Sequence, residues 1–214
     1  MRLLVITDLH QKKSGLSWIN AQIEKNNIEA VLFLGDVTDM GTAKEGAEII
    51  SGIKSKVYFI PGNCDPRDIM DEVSKVAVDM HGKKADLGGH ALVGIGGSNV
   101  TPFGTPFELT EDELYNGLKK NASEGMILMT HCPSLGILDK VPDGPHVGSA
   151  AIKRIVDEFH PILALSGHIH EDIGLKTIDG TVFCNPGPAM NGYCAIVDID
   201  GDDVKVTMKG PTDE

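Results

Sequence analysis

Leu3-Leu4-Val5-Ile6-Thr7-Asp8-Leu9-His10 sets the reading of this chain. An apolar run short enough for a buried strand breaks off into a carboxylate and an imidazole two residues apart. The pattern recurs downstream. Val31-Leu32-Phe33-Leu34 runs into Gly35-Asp36-Val37-Thr38-Asp39, and the run 57–60 into Gly62-Asn63-Cys64-Asp65. The run 126–129 runs into Thr130-His131-Cys132-Pro133, and 162–165 into Gly167-His168-Ile169-His170. Together these ends offer two carboxylates, one carboxamide and four imidazoles. In an extended segment, side chains at i and i+2 project to one face. Asp8 with His10, and His168 with His170, are therefore expected to reach a common pocket at the C-terminal edge of a sheet, where open α/β sheets hold their ligands. Such a donor set suits two metal ions, which can activate water and clamp a phosphate together.

Between the runs lie helix-like segments at 14–25, 42–53, 110–119 and 149–158. Thr110 followed by Glu113 reads as a capping box, and Asp65-Pro66 as a further helix start. From residue 173 the pattern changes to hairpin strands at 173–178, 181–184, 194–199 and 204–208, with Asp179-Gly180 and Asp200-Gly201 as turns. Strand–helix alternation followed by a strand meander predicts an α/β fold, two sheets packed together with helices outside. The 214 residues suit one domain, 1–214. The tail 210–214 is expected to fray.

The net charge of −12 repels polyphosphate backbones and argues against binding long nucleic acid. No apolar stretch approaches the roughly 20 residues that span a bilayer. The N-terminus lacks a signal-peptide layout, and the four cysteines form no CxxC pair, so a reduced, cytoplasmic setting is expected.

The ordered blocks D-x-H, G-D-x-x-D, G-N-x-D, H and G-H-x-H, from Asp8 to His170, resemble the calcineurin-like metallophosphoesterases. That resemblance implies an αββα two-sheet sandwich. It also implies two divalent transition-metal ions: Asp8, His10 and His170 on one, Asn63, His131 and His168 on the other, and Asp36 bridging both. Imidazole and oxygen donors favour manganese, with iron, zinc, nickel or cobalt as alternatives. The implied reaction is hydrolysis of a small phosphodiester, nucleotide-like in one version, by a metal-bridging hydroxide, with Asn63 also contacting the phosphoryl oxygens. Phosphomonoester hydrolysis, or a non-catalytic binding platform on the same fold, are the alternatives. A homodimer is the family's habit.

The chain departs from the family pattern at Cys64, where a histidine usually protonates the leaving group. A thiol is a poor near-neutral acid, and Asp39 loses the partner it would orient. Leaving groups that need little protonation are therefore expected, and the resemblance to family members with this replacement implies diesters over monoesters. His146, just ahead of the helix at 150–159, either fills the gap as a proton donor or is a surface turn residue beside the helix cap Ser149. Asn99 lies in a glycine-rich stretch that runs on to Phe103 and Phe107. These aromatics either stack a substrate ring or pack over the core. Asn185, in Asn185-Pro186-Gly187, either touches substrate or builds a tight turn.

Overall fold

The computed structural model describes residues 1–142 and 144–211, so the last three residues of the tail expected to fray lie outside the described residues. The opening run forms β1 (Arg2–Ile6). Helix α1 (Gly15–Asn26) carries the chain to β2 (Ala30–Phe33), α2 (Ala43–Ser51) to β3 (Lys56–Phe59), and the short α3 (Ile69–Val73) to β4 (Val78–Asp79). A hairpin of β5 (Lys83–Leu87) and β6 (His90–Ile95) precedes the two-residue strands β7 (Ser98–Asn99) and β8 (Glu108–Leu109). Helix α4 (Glu111–Lys119) leads to β9 (Ile127–Thr130), and α5 (Ala150–Phe159) to β10 (Leu163–Leu165). Two hairpins follow, β11 (Gly174–Ile178) with β12 (Thr181–Asn185), and β13 (Cys194–Asp200) with β14 (Asp203–Lys209).

These strands make two six-stranded sheets, ordered β14-β13-β1-β2-β3-β4 and β11-β12-β10-β9-β6-β5. The segments β1 to β4 run parallel, as do β6, β9, β10 and β12, while β14, β13, β11 and β5 add antiparallel edges.

Strand side chains alternate between two interiors, which is why the strands read as unbroken apolar runs. Leu4, Ile6, Val31, Phe33 and Phe59 face outward onto Ile19, Ile49 and Ile69 of the first three helices. Leu3, Val5, Leu32 and Tyr58 face inward onto Ile127, Met129, Leu163 and Leu165 of the second sheet. Leu128, Val93 and Ile95 then face outward onto Leu114 and Leu118 of α4 and Ile152 and Ile155 of α5. The result is a four-layer αββα sandwich, as expected. Each fully buried side chain of this size contributes roughly 1.5–3 kcal/mol of transfer free energy.

The Thr110–Glu113 capping box forms, and Thr42 with Glu45 forms a second one. Asp179 (φ 48°) and Gly180 (φ 88°) make the turn of the β11–β12 hairpin. The helix start at Asp65-Pro66 is corrected. Asp65 is buried and its carboxylate accepts from the amide and hydroxyl of Thr38 and from the Gly62 amide, so α3 begins only at Ile69. Strand β5, Lys83-Lys84-Ala85-Asp86-Leu87, went unpredicted because it is a polar, lysine-bearing sheet edge.

Candidate metal centre

Asp8, His10, Asp36, Asn63, His131, His168 and His170 all follow the C-terminal ends of β1, β2, β3, β9 and β10. Extended backbone does not bring them together. Strand pairing has ended before each motif, and Asp8, His10, Asp36 and His168 have φ of 54°, 45°, 52° and 68°. Left-handed residues fold the loops sharply over the sheet edge, at a strain that packing must hold in place. The first loop is braced by the second: the Asp8 amide donates to the Gly35 carbonyl at 3.0 Å, and the Leu9 and His10 amides to the Asp36 carbonyl at 2.9 and 3.0 Å. The second and third loops meet without room for a side chain. A Cβ on Gly62 would sit 2.0 Å from Asp36 Oδ1, and one on Gly35 2.3 Å from the Gly62 nitrogen.

Asp36 is central. Its Oδ2 lies 3.7 Å from His10 Nε2 and 3.5 Å from His131 Nε2, while its Oδ1 accepts from the Cys64 amide at 2.8 Å. On one side, Asp8 Oδ1 lies 3.7 Å from His10 Nε2 and 3.1 Å from His170 Nε2, and Asp8 Oδ2 is held by the Thr7 hydroxyl and the His168 amide. On the other, Asn63 Oδ1 lies 2.9 Å from His131 Nε2, and the His131 and His168 rings are 5.1 Å apart. His131 Nδ1 meets the Leu34 carbonyl at 2.7 Å.

The donors fit cations. Among the described residues, Asp8 Oδ1 and His10 Nε2 are buried without a hydrogen-bond partner, a costly arrangement unless a ligand uses them. One donor atom each from Asp8, His10 and His170 lies within 4.8 Å of the others, and the same holds for Asp8, Asp36 and His131. A third grouping joins Cys64 to His10 and Asp36. The sequence leaves open whether that thiol is inert, redox-sensitive or an occasional metal contact, since its only signal is its place beside Asn63. Asn63 Nδ2 contacts Cys64 Sγ at 3.5 Å, which turns the amide oxygen towards His131.

The charges agree with such a site. Burial opposes ionisation of Asp8, yet His10, His170 and His131 hold its carboxyl well below the usual range, and His131 lowers that of Asp36 against the same burial. Burial would lower His131, but Asp36 and Asp8 outweigh it and push it up to about 9. Burial and the positive His131 bring His168 down to about 4. Burial and Asp36 push the Cys64 thiol far up and raise Asp65 to about 6.

The remaining candidates stand outside the cluster. Asp39 is exposed, near enough for its charge to be felt at His10 and Cys64. Asn185 is buried, its Nδ2 donating to the Ile169 and Asp172 carbonyls and its Oδ1 accepting from the Gly187 amide, so its polar atoms brace the loop carrying His168 and His170. A cleft of about 450 Å³ opens beside His168, lined by Asn99, Val100, Phe103, Val141 and His146 among others. Asn99 Nδ2 donates to the Val147 carbonyl at 3.2 Å. Phe103 is 82% exposed on the cleft wall, whereas Phe107 is buried against His81 and Arg67 and packs over the core. His146 Nδ1 lies 2.5 Å from Asp139 Oδ1, a buried carboxylate with no motif around it in the sequence.

Comparison with known proteins gives a consistent picture. The model of the calcineurin-like phosphoesterase family matches residues 1–172. An uncharacterized protein of Methanocaldococcus jannaschii is 33% identical over 198 residues, covering 88% of each chain. Among solved structures, a dimetal phosphatase from Danio rerio superposes with a TM-score of 0.69 at 11% identity, covering 98% of this chain and 96% of that one. A novel archaeal phosphodiesterase gives 0.60 at 12% identity, covering 98% and 100%. At such identities the two structures speak for the shared fold alone.

Proposed function

Because the chain belongs to the calcineurin-like phosphoesterase family, a family of phosphoester hydrolases that use divalent metal ions, we propose that it is a phosphodiesterase for small, nucleotide-like diesters. The observation that carries this reading is the pair of buried, unpartnered atoms Asp8 Oδ1 and His10 Nε2 facing the shared carboxylate of Asp36.

Asp8, His10 and His170 would hold one ion, Asn63, His131 and His168 the other, and Asp36 both. The imidazole and oxygen donors favour manganese, then iron, zinc, nickel or cobalt. When bound, these ions supply Lewis acidity that polarises the phosphoryl oxygens and eases deprotonation of the attacking water. The chain's residues do the rest. The Leu34 carbonyl fixes the His131 ring through Nδ1 and leaves Nε2 for the site. Asn63 presents its oxygen to the site, and its amide nitrogen, resting on Cys64, can donate to a phosphoryl oxygen. With Cys64 held as a thiol, His146 across the cleft is the proton donor for the leaving group. A diester suits this arrangement because one ester oxygen leaves while the other substituent remains on phosphorus outside the ligand shell.

We read the chain as one cytoplasmic domain, 1–214, acting on a small substrate and dimeric as its relatives' habit suggests. Its charge of −12 argues against long nucleic acid, and among the described residues no helix is long and apolar enough to cross a membrane.

The test is hydrolysis of paired aryl phosphomonoesters and phosphodiesters by metal-stripped protein, each metal being restored singly. Diester cleavage that needs metal and is lost in Asn63→Ala supports the reading. Preference for the monoester would make the chain a phosphomonoesterase. Metal binding with turnover of neither ester would move it to a binding role.

A further inference from the structure

The loop between β9 and α5 holds a carboxylate that the metal centre does not use. Asp139 is fully buried, and its Oδ2 accepts from the Gly136 and Gly148 amides, both at 2.9 Å. Its Oδ1 lies 2.5 Å from His146 Nδ1, and its carbonyl accepts from the Val147 amide at 3.1 Å. The backbone presses directly on the carboxylate, since a Cβ on Gly148 would sit 2.8 Å from Asp139 Oδ2. Burying a carboxylate costs several kcal/mol unless its partners compensate. An amide or hydroxyl could accept from two loop N–H groups without that cost. The charge is matched instead to an imidazole whose ring is half-exposed, at 51%. Such a contact selects one orientation: Nδ1–H is committed to Asp139, and Nε2 is left facing away from it.

His146 and His168 line the same cleft. The walls around them are mostly apolar and uncharged. Val100 and Phe103, both largely exposed, come from the segment between β7 and β8 beside Asn99 and Thr101, and Val141 and Val147 from the loop between β9 and α5. Among the described residues lining it there is no lysine, arginine or carboxylate. We propose that Asp139 is a positioning residue that aims His146 to hand a proton to the leaving oxygen of an ester in this cleft, and that the cleft takes an uncharged aromatic or aliphatic leaving group. The inference rests on the phosphodiesterase reading above.

In the step, the bond between phosphorus and the leaving oxygen breaks, and its electron pair goes to that oxygen. The oxygen of water forms the new bond to phosphorus. The Nε2 proton of protonated His146 passes to the leaving oxygen, and the proton shed by water goes to solvent, from which His146 is recharged.

The experiment compares methyl para-nitrophenyl phosphate, methyl phenyl phosphate and the analogue of the latter whose leaving oxygen is replaced by sulfur. Positioned acid catalysis contributes roughly a hundredfold or more. Asp139→Asn and His146→Gln should therefore each lower kcat on methyl phenyl phosphate about a hundredfold. The loss should be far smaller on the other two esters, whose leaving groups need little protonation, and KM should stay put. The double variant should lose no more than either single one, as expected for residues acting as a unit. In metal-free protein, a low-field Nδ1–H proton resonance of His146 should vanish in both variants. His146→Gln changes a half-exposed side chain and carries the leaving-group test even if Asp139→Asn fails to fold. An equal loss on all three esters, or a loss confined to KM, would overturn the proposal while leaving the phosphodiesterase reading intact. A wild-type protein that binds metal and cleaves none of the three would overturn both.

Discussion

The imidazole of His131 donates through Nδ1 to the Leu34 carbonyl at 2.7 Å, tying the end of β9 in one sheet to the end of β2 in the other. Its second nitrogen lies among Asp36 and Asn63, so the ring clasps the two sheets while presenting Nε2 to the site where the proposed metal would bind.

With His131 raised to about 9, the metal-free protein carries a proton there at neutral pH. A cation must displace it, and His10, which Asp8 and Asp36 raise against its burial, adds to the protons displaced. Metal binding should therefore release at least one proton, and affinity should rise steeply with pH up to that value. For folding of the metal-free chain the sign is opposite. A histidine raised in the folded state gives stability that is full below its ordinary value and is lost as pH rises through about 9. Calorimetry of metal binding in buffers of different ionisation heat reads the proton. Thermal melts between neutral pH and the upper end of this window, with and without metal, read the two opposed trends.

Gly62→Ala should damage the centre without replacing a donor. The added methyl would lie 2.0 Å from Asp36 Oδ1 and 2.3 Å from the Asp36 nitrogen, where neither loop can retreat. Overpacking of this kind costs about 1–3 kcal/mol. Melting temperature and metal stoichiometry should fall together. A variant that melts lower yet still binds its full complement of metal would show that Asp36 tolerates displacement.

Asn185→Ala separates bracing from substrate contact. Losing its bonds to Ile169, Asp172 and Gly187 leaves buried groups unpaired, at about 1–3 kcal/mol each. The variant should melt earlier and bind metal more weakly, because the loop with His168 and His170 loosens. Once metal is saturating, its KM should match the parent's. A raised KM at saturating metal would instead put Asn185 against the substrate.

Phe103→Ala should leave stability within about 0.5 kcal/mol, as is usual for an exposed site. Its ring is 82% exposed on the cleft wall, so it contributes to the fold little and to a bound aromatic group more. Ring stacking is worth about 0.5–1.5 kcal/mol, so KM for aryl diesters should rise several-fold and KM for dialkyl diesters hardly at all.

The central strands were legible because burial on both faces leaves an unbroken apolar run, as in Val31-Leu32-Phe33-Leu34. The motif residues were legible as a set, and they do converge. Alternation along an extended strand does not bring them together, since Asp8, His10 and His168 sit on left-handed backbone that no periodicity rule describes. Asp65 looked like a helix cap because its three hydrogen-bond donors, on Thr38 and Gly62, come from loops that only the tertiary fold assembles. Asp139 was invisible for a similar reason. It pairs with His146 across an irregular loop, where spacing carries no fixed geometry.

Strand β1 pairs with β13, Arg2 opposite Asp198, and the loop after β1 is sealed by the Ala189 and Met190 amides donating to the Thr7 and Asp8 carbonyls. On a ribosome, then, the loop after β1 is braced early by the Gly35 and Asp36 carbonyls but sealed only once Ala189 and Met190 have emerged. Contacts this distant in sequence close slowly. A nascent or truncated chain that stops short of these residues would hold a looser donor cluster, so any chemistry there has to wait for a segment far downstream of the first donor, Asp8.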